Sequence, residues 1–425
     1  ARVGGIEFRA EKRRRLVTGV RVTSEIGALR GVVVHTPGRE LMAVTPGTRE
    51  DYLYDDIIDV ETARQEHSLM VSVLERFSEV YEIRDLLVDV LARDEVREMV
   101  VARTGAVVPS QALASSMSEL PAEDLVQLLI EGEAEDPGPI ASALNEWGYR
   151  LPAVPNLYFT RDIGMVIGEH VVIGSMRHDV RWTEELIIKS LFEYHPKLAN
   201  RGIIYDGSDE RRDDYTLEGG DVQTVRDDLL ILGFSDRSSP AALDMLCDTV
   251  FRRGIEDVIV VVMPRRTEAI HLDMVFTQVD RDLCVVSPPH FIGPEKLPVL
   301  RRHKGDAAVT VMPDLFSALR KVDFPLEPIS CGGSSRQVQE REQWASGCNV
   351  VTVRPGVCVA YARNEATLDE FSKAGFRVVD GTGLLAGEDE LSETERAVIT
   401  IRGAELVRGG GGPRCMTLPV RREAV

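Results

Sequence analysis

The stretch Asp228-Leu-Leu-Ile-Leu232, followed by Pro240 to Arg252 and then Val258-Ile-Val-Val-Val-Met263, decides how this chain is read. Short continuous aliphatic runs mark strands buried on both faces, and the segment between them has helical spacing and length. A strand, a helix and a strand follow in order. The same alternation runs from Val154 onward, with candidate strands at His170 to Ile173, Leu283 to Ser287, Ala308 to Met312 and Val350 to Ala360. Candidate helices lie between them at Thr183 to Phe192, Gln337 to Ala345 and Ala366 to Ala374. Upstream, Arg30-Gly-Val-Val-Val-His-Thr36 reads as a strand ended by Pro37-Gly38, and Val60 to Phe77 as an amphipathic helix. The expected class is α/β, built from recurring helix and strand pairs. No repeat is visible as residue identity. Gly381-Thr-Gly383 after the strand Arg377 to Asp380 makes no dinucleotide fingerprint, because the third glycine, Gly387, is misplaced and no helix start is evident.

A length of 425 residues suits two or three domains or one large α/β unit. Lys and Arg total 50 against 69 Asp and Glu, a net charge of -19. Such a field argues against nucleic acid or an anionic membrane as partner. The excess is concentrated, since Asp85 to Arg150 holds 13 acids against four arginines. Helical patterns there are broken by Pro109, Pro121 and Pro137-Gly138-Pro139, which predicts a solvated helical insert. The N-terminal basic cluster, Arg2, Arg9, Lys12, Arg13, Arg14 and Arg15, is followed by no apolar stretch and does not read as a secretory signal. No apolar run approaches the roughly 18 residues of a membrane helix. A cytoplasmic location is expected. The six cysteines form no C-x-x-C pair, so neither a disulfide scaffold nor a zinc site of the usual spacing is expected.

Four segments carry groups able to do chemistry. Read as a strand, Glu268 to Phe276 places His271 and Asp273 on one face, about 7 Å apart. Glu218-Gly-Gly-Asp221 sets two carboxylates about a tight turn. Asn156-Leu-Tyr-Phe-Thr-Arg-Asp162 ends in a carboxylate beside Arg161. Arg408-Gly-Gly-Gly-Gly-Pro-Arg-Cys415 reads as a mobile loop delivering a cysteine, with Arg408 and Arg414 favouring its thiolate. Each segment alone is ordinary: a packed histidine, a solvated turn, a capping aspartate, a tail with an incidental thiol. Together they supply a nucleophile, a proton carrier and four acids, where a cysteine protease needs one group to orient its histidine. So many carboxylates would hold the thiol neutral unless the substrate were a cation. A planar guanidinium, able to take bidentate pairs from carboxylates, meets that need.

These four motifs, with Arg30 to Gly38, Tyr54-Asp-Asp-Ile57, Cys331-Gly-Gly, Glu340-Arg-Glu-Gln-Trp344 and Tyr361-Ala-Arg-Asn364, resemble the arginine deiminases of the guanidine-modifying pentein superfamily. The resemblance spans residues 30 to 417. It implies a five-fold pseudosymmetric α/β propeller over 17–84 and 151–425, with an all-helical acidic insert at 85–150. It implies hydrolysis of L-arginine to L-citrulline and ammonia through a covalent cysteine intermediate. The nearest rival is amidino transfer to an amine, or hydrolysis of a different guanidine compound. The resemblance assigns Cys415 as nucleophile, His271 as acid and base, Glu218 as its orienting group, and Asp162 and Asp273 as guanidinium ligands. It places Arg181 and Arg237 on the substrate carboxylate, with Asn156 and Phe159 lining the same site; Asp221 is expected, as one of the four acids of these motifs, to face the substrate as well. Gly410 departs from the pattern, since many members carry an arginine there. Neither cofactor nor metal is expected, the partner is a small molecule rather than nucleic acid or membrane, and a homo-oligomer is expected.

Overall fold

The computed structural model describes residues 19–108, 110–135, 138–144, 148–209, 214–265 and 269–425. The basic residues from Arg2 to Arg15, Pro109, Pro137 and Glu268 lie outside the described residues.

Aliphatic runs with no polar face must be covered on both sides, and the described strands are. β1 (Leu29–Val34) runs parallel to β2 (Glu79–Glu82) across α1 (Val60–Glu75). The Asp59 carboxylate caps α1 by accepting the Thr62 N–H. Four helices follow: α2 (Ile83–Leu91), α3 (Asp94–Val107), α4 (Gln111–Glu119) and α5 (Ala122–Glu131). Gly132, at φ 74°, ends α5 in a backbone conformation that favours glycine and turns the chain extended. β3 (Glu133–Ala134) then pairs with β4 (Tyr149–Leu151) across the short α6 (Pro139–Ala143). The segment expected to be all-helical therefore ends in a ribbon.

A recurring order begins after α7 (Thr160–Ile163). β5 (Gly164–Ile167) and β6 (His170–Ile173) are antiparallel, and beyond α8 (Trp182–Tyr194), β7 (Ile203–Asp206) joins β6 in parallel. β8 (Val222–Arg226) and β9 (Leu229–Phe234) repeat this with α9 (Pro240–Phe251) and β10 (Asp257–Val262). β11 (Phe276–Gln278) and β12 (Leu283–Val286) form the next antiparallel pair. After α10 (Pro288–Phe291), β13 (Val299–His303) and β14 (Thr310–Met312) cross back to extend the preceding sheet beside β10. α11 (Leu315–Lys321) then leads to β15 (Glu327–Ser330), parallel to β12.

α12 (Arg336–Trp344) precedes β16 (Val351–Arg354) and β17 (Val357–Tyr361). These were expected as one strand, Val350 to Ala360. Gly356, at φ 75°, instead turns them into a hairpin. α13 (Glu365–Lys373), β18 (Arg377–Asp380) and α14 (Gly381–Ala386) lead to β19 (Ala397–Ile401), which lies parallel to β17. A helix does start at Gly381, contrary to the sequence reading, and the Asp380 carboxylate caps it on the Gly383 N–H. β20 (Leu418–Arg422) closes the order by pairing antiparallel with β1.

Among the described residues, an antiparallel pair plus a parallel strand thus recurs in five sheets, and one of these joins β1 to β20. One buried cluster runs from Leu29 and Val32 through Ile259, Phe276, Val359 and Ile399 to Cys415, so the thiol stands at the edge of the main core. A second cluster packs Val90 and Leu91 of α2 and Leu125 and Leu129 of α5 against Ile188 and Leu191 of α8. Among the described residues, no helix is long and apolar enough to cross a membrane.

Candidate active site

Cys415 is presented by a tight turn just before β20. Met416 N–H donates to Gly412 O, and the Thr417 hydroxyl folds back on Pro413 O and Arg414 O. The Cys415 carbonyl accepts the Arg161 N–H at 3.0 Å. The glycine run before it was expected to be mobile but is packed. A β-carbon on Gly409 would strike the Tyr158 hydroxyl, one on Gly411 the Phe159 ring, and one on Gly412 would lie 2.6 Å from Asn349 O. Glycine is needed there because aromatic rings and backbone occupy the side-chain space.

His271 does not sit in a strand. Leu272–Met274 form a 3-10 turn, in which Met274 N–H donates to His271 O. Asp221 sets this turn: its Oδ1 accepts the Leu272 N–H at 2.9 Å, while its Oδ2 accepts the Ser238 hydroxyl at 2.7 Å and also that of Ser235. Asp221 was expected among the acids facing the substrate. With both oxygens held by the protein and no exposure, it is sealed beneath the site instead. Gly220 sits under the imidazole, since a β-carbon there would lie 2.5 Å from His271 Cγ. The two glycines between Glu218 and Asp221 therefore permit close approach of the histidine ring and, at Gly219, of the Arg161 carbonyl.

Around this frame the catalytic candidates converge. His271 Nε2 lies 2.8 Å from Glu218 Oε2, and His271 Nδ1 lies 3.8 Å from Asp162 Oδ1. Cys415 Sγ lies 3.7 and 3.9 Å from the two oxygens of Asp273. Arg181 Nη1 holds Asp162 Oδ2 at 2.9 Å and its other nitrogens grip Glu184, which leaves Asp162 Oδ1 buried without a hydrogen-bond partner. Arg237 Nη1 reaches Glu218 Oε2 at 3.4 Å, and its Nε is likewise buried without a partner. Asn156 donates its side-chain amide to Tyr52 O. The Phe159 ring stacks on Tyr158, with centroids 4.1 Å apart, beside Gly411.

The electrostatics follow from burial among charges. Burial raises the Cys415 pKa well above the usual thiol range, and Asp273 and Asp162 push it further, with Arg414 opposing. Burial opposes charging of His271, but Asp162, Glu218 and Asp221 outweigh it and raise its pKa to about 9. Burial also opposes ionisation of Glu218, yet Arg237, His271 and Arg181 hold it well below the carboxylate range. The resting pair is therefore a neutral thiol and a charged imidazolium. Arg408, expected beside the thiolate, instead pairs with Asp56 at 2.9 Å near the surface. Arg414 is adjacent but spends its charge on Asp273, at 2.8 Å, and on Glu25. Arg161, the chain neighbour of Asp162, donates its Nε to Arg414 O.

Two groups escaped the sequence reading. Asn349 donates to Cys415 Sγ at 3.0 Å and accepts the Cys415 N–H at 3.0 Å. It stands in Gly347-Cys-Asn-Val350, where no spacing marks it. Glu184 holds Arg181 from three residues on, a helical i,i+3 spacing that could have been read. Among the described residues, Asp162, Glu218 and His271 are also close enough to hold a metal ion, with ligand atoms within 4.8 Å. His271 and Glu218 of this group are a hydrogen-bonded pair, and Asp162 stands 3.8 Å from the imidazole.

A family model described as arginine deiminase matches residues 50–422. An arginine deiminase of Streptococcus pneumoniae serotype 19F is 32% identical over 437 aligned positions, covering 96% of this chain and 99% of the relative. One of Pediococcus pentosaceus is 30% identical, covering 96% and 100%. Among solved structures, the product-bound N-terminal domain of ArgZ, a cyanobacterial arginine dihydrolase, superposes with a TM-score of 0.52 at 15% identity, covering 92% of this chain and 97% of that one. SxtG, an amidinotransferase of Microseira wollei, superposes at 0.56 and 13% identity, covering 96% and 98%.

Proposed function

Because the chain belongs to the arginine deiminase family, we propose that the converged thiol, imidazole and carboxylates hydrolyse L-arginine to L-citrulline and ammonia. The observation that carries this reading is Asp162 Oδ1, a buried carboxylate oxygen without a hydrogen-bond partner, 3.8 Å from His271 Nδ1 in the cluster that holds the uncharged thiol. That arrangement is incomplete without a cation able to donate hydrogen bonds. A guanidinium supplies both the charge and the N–H donors.

In this reading Asp162 and Asp273 grip the guanidinium, and its charge offsets the acids that keep Cys415 protonated. As the guanidinium binds, the Cys415 thiol proton passes to solvent, and the thiolate adds to the guanidinium carbon. His271, charged and held by Glu218, gives its proton to the departing nitrogen, which leaves as ammonia. A thiouronium-type adduct remains on the sulfur. His271, now neutral, takes a proton from water as the oxygen adds to the same carbon. The carbon–sulfur bond breaks as the new hydroxyl gives up its proton to solvent, which releases citrulline and restores the thiolate. Asn349 steadies the sulfur at each step through its amide N–H. Arg237, with its unpartnered Nε, and Arg181 are assigned to the substrate carboxylate, with Asn156 and Phe159 on the wall.

The same proposal includes a five-fold pseudosymmetric propeller, supported by the recurrence of one strand order in five sheets. It takes 17–84 and 151–425 as the catalytic unit and 85–150 as an insert, supported by the second buried cluster around α2 to α5. Six unpaired, buried cysteines support a reducing compartment, the cytoplasm. Self-association belongs to the same proposal and is read by light scattering. The deciding experiment supplies L-arginine to the purified protein and assays citrulline and ammonia. Absence of citrulline, or ornithine formed only when glycine is added, would overturn the deiminase reading.

A further inference from the structure

We propose that Arg265 is a carboxylate-binding residue of the substrate site, acting with Arg237 at its mouth and setting the preference for a guanidine that also carries a carboxylate. The proposal rests on the reading of the site as one for L-arginine.

β9 and β10 run parallel with Phe234 opposite Val262, so Arg237 and Arg265 each stand three residues beyond a paired strand end. The carboxyl ends of parallel strands are where α/β folds place ligands. Both arginines line a cleft of about 410 Å³ whose wall includes Met274, Gly409 and Gly410, the last two from the loop that leads to Cys415.

The charge in this cleft is the stronger argument. Glu50, Asp55 and Asp236 line it as well, so an incoming carboxylate meets three of its own sign. Arg181 is already compensated by Asp162 and Glu184, and Arg237 shares its charge with Glu218. Gly410 adds no cation, and the atom nearest to a β-carbon there would be Asp55 Oδ2, 3.8 Å away. Arg265 is different. Among the described residues it pairs with no carboxylate, and its guanidinium lies over the Phe234 ring, 5.6 Å from the centroid. Such stacking restrains the side chain while leaving the in-plane N–H fork for a planar oxygen ligand. Arg237 Nε, buried and unpartnered, is the second donor waiting for an acceptor.

The test compares wild type, Arg265→Ala and Arg265→Lys on L-arginine and on agmatine, which has the guanidine but lacks the carboxylate. Arg265→Ala should raise KM for L-arginine about tenfold or more, as expected for a lost charge-assisted hydrogen bond, with kcat held within about threefold. Its kcat/KM on agmatine should not fall, and Arg265→Lys should recover part of the loss. An unchanged ratio of arginine to agmatine efficiency in Arg265→Ala would overturn the proposal. If wild type forms no citrulline, the deiminase reading fails first, and calorimetric titration with L-arginine then decides the residue. Weaker binding to Arg265→Ala than to wild type supports the assignment; equal binding, or none to either protein, overturns it.

Discussion

Asn349 and Cys415 are joined at both ends of one amide: the side-chain N–H donates to Sγ at 3.0 Å while its oxygen accepts the Cys415 N–H at 3.0 Å. This double contact fixes the sulfur relative to its own backbone. It also places a donor on the atom that becomes an anion in the proposed reaction. Asn349→Ala should lower kcat by about 10- to 100-fold, the range for a hydrogen bond to a charged group. Asn349→Asp should lower it further, because it replaces the donor with a fourth nearby carboxylate. Citrulline release, together with the pH dependence of thiol alkylation, measures both effects.

Asp162→Asn should raise KM for L-arginine and lower kcat together. The variant loses a charge on the guanidinium and also a partner of Arg181 and His271. A loss of about 1.5 to 3 kcal/mol in transition-state stabilisation is expected from steady-state kinetics. Unchanged kinetics would mean that Asp162 only anchors Arg181.

The glycines before Cys415 should differ sharply from one another. Gly411→Ala drives a methyl into the Phe159 ring, and overpacking of this kind costs about 1 to 3 kcal/mol. Thermal unfolding should show that loss, with citrulline formation falling as Cys415 shifts. A β-carbon on Gly410 would meet only Asp55 Oδ2, at 3.8 Å, but φ is 87°, so Gly410→Ala should cost only about 1 kcal/mol of backbone strain and keep activity.

The pH profile of kcat/KM should fall as pH rises past about 9, where His271 gives up the proton it needs for the leaving nitrogen. The sign for stability is the same. A histidine raised from 6.5 to about 9 stabilises the fold fully below pH 6.5, and that contribution disappears between 6.5 and 9. Glu218→Gln should bring the alkaline limb of the profile to lower pH, because it removes the carboxylate that holds the imidazolium.

His35 makes a second, structural test of the same rule. It is buried between Glu40 at 3.1 Å and Glu82 at 3.0 Å, and those carboxylates overcome burial to raise its pKa to about 9. His35→Gln should cost about 3 kcal/mol at pH 6, the scale for breaking a buried ion pair. Denaturant melts at pH 9.5 should show a smaller difference from wild type, since the native histidine is then neutral.

The strand and helix alternation from His170 to Ala374 was legible because runs such as Val258 to Met263 have no polar face, a local property. The repeated strand order was not, because it is a relation among backbone partners and leaves no shared residue identity. The turn at Leu272–Met274 escaped for a similar reason. Alternating side chains suggested a strand, but Asp221, 51 residues away, claims the Leu272 N–H and bends the chain. Asp221 carries the same lesson for the site, since its carboxylate looked like part of the receptor and is consumed by two hydroxyls and that amide.

By itself, the sequence determined the kind of chemistry: a cysteine, a histidine and a surplus of acids that a cationic guanidine would balance, set in segments far apart along the chain. Residue types and their local contexts carry that information, because reactivity is a property of functional groups. Tertiary structure alone decided that Asp162 Oδ1 is left without a hydrogen-bond partner, which arginines are already neutralised, and that Asn349 holds the sulfur. Those outcomes depend on which N–H and oxygen atoms meet after burial, where an unpaired polar group is costly and every partner must be found across the chain.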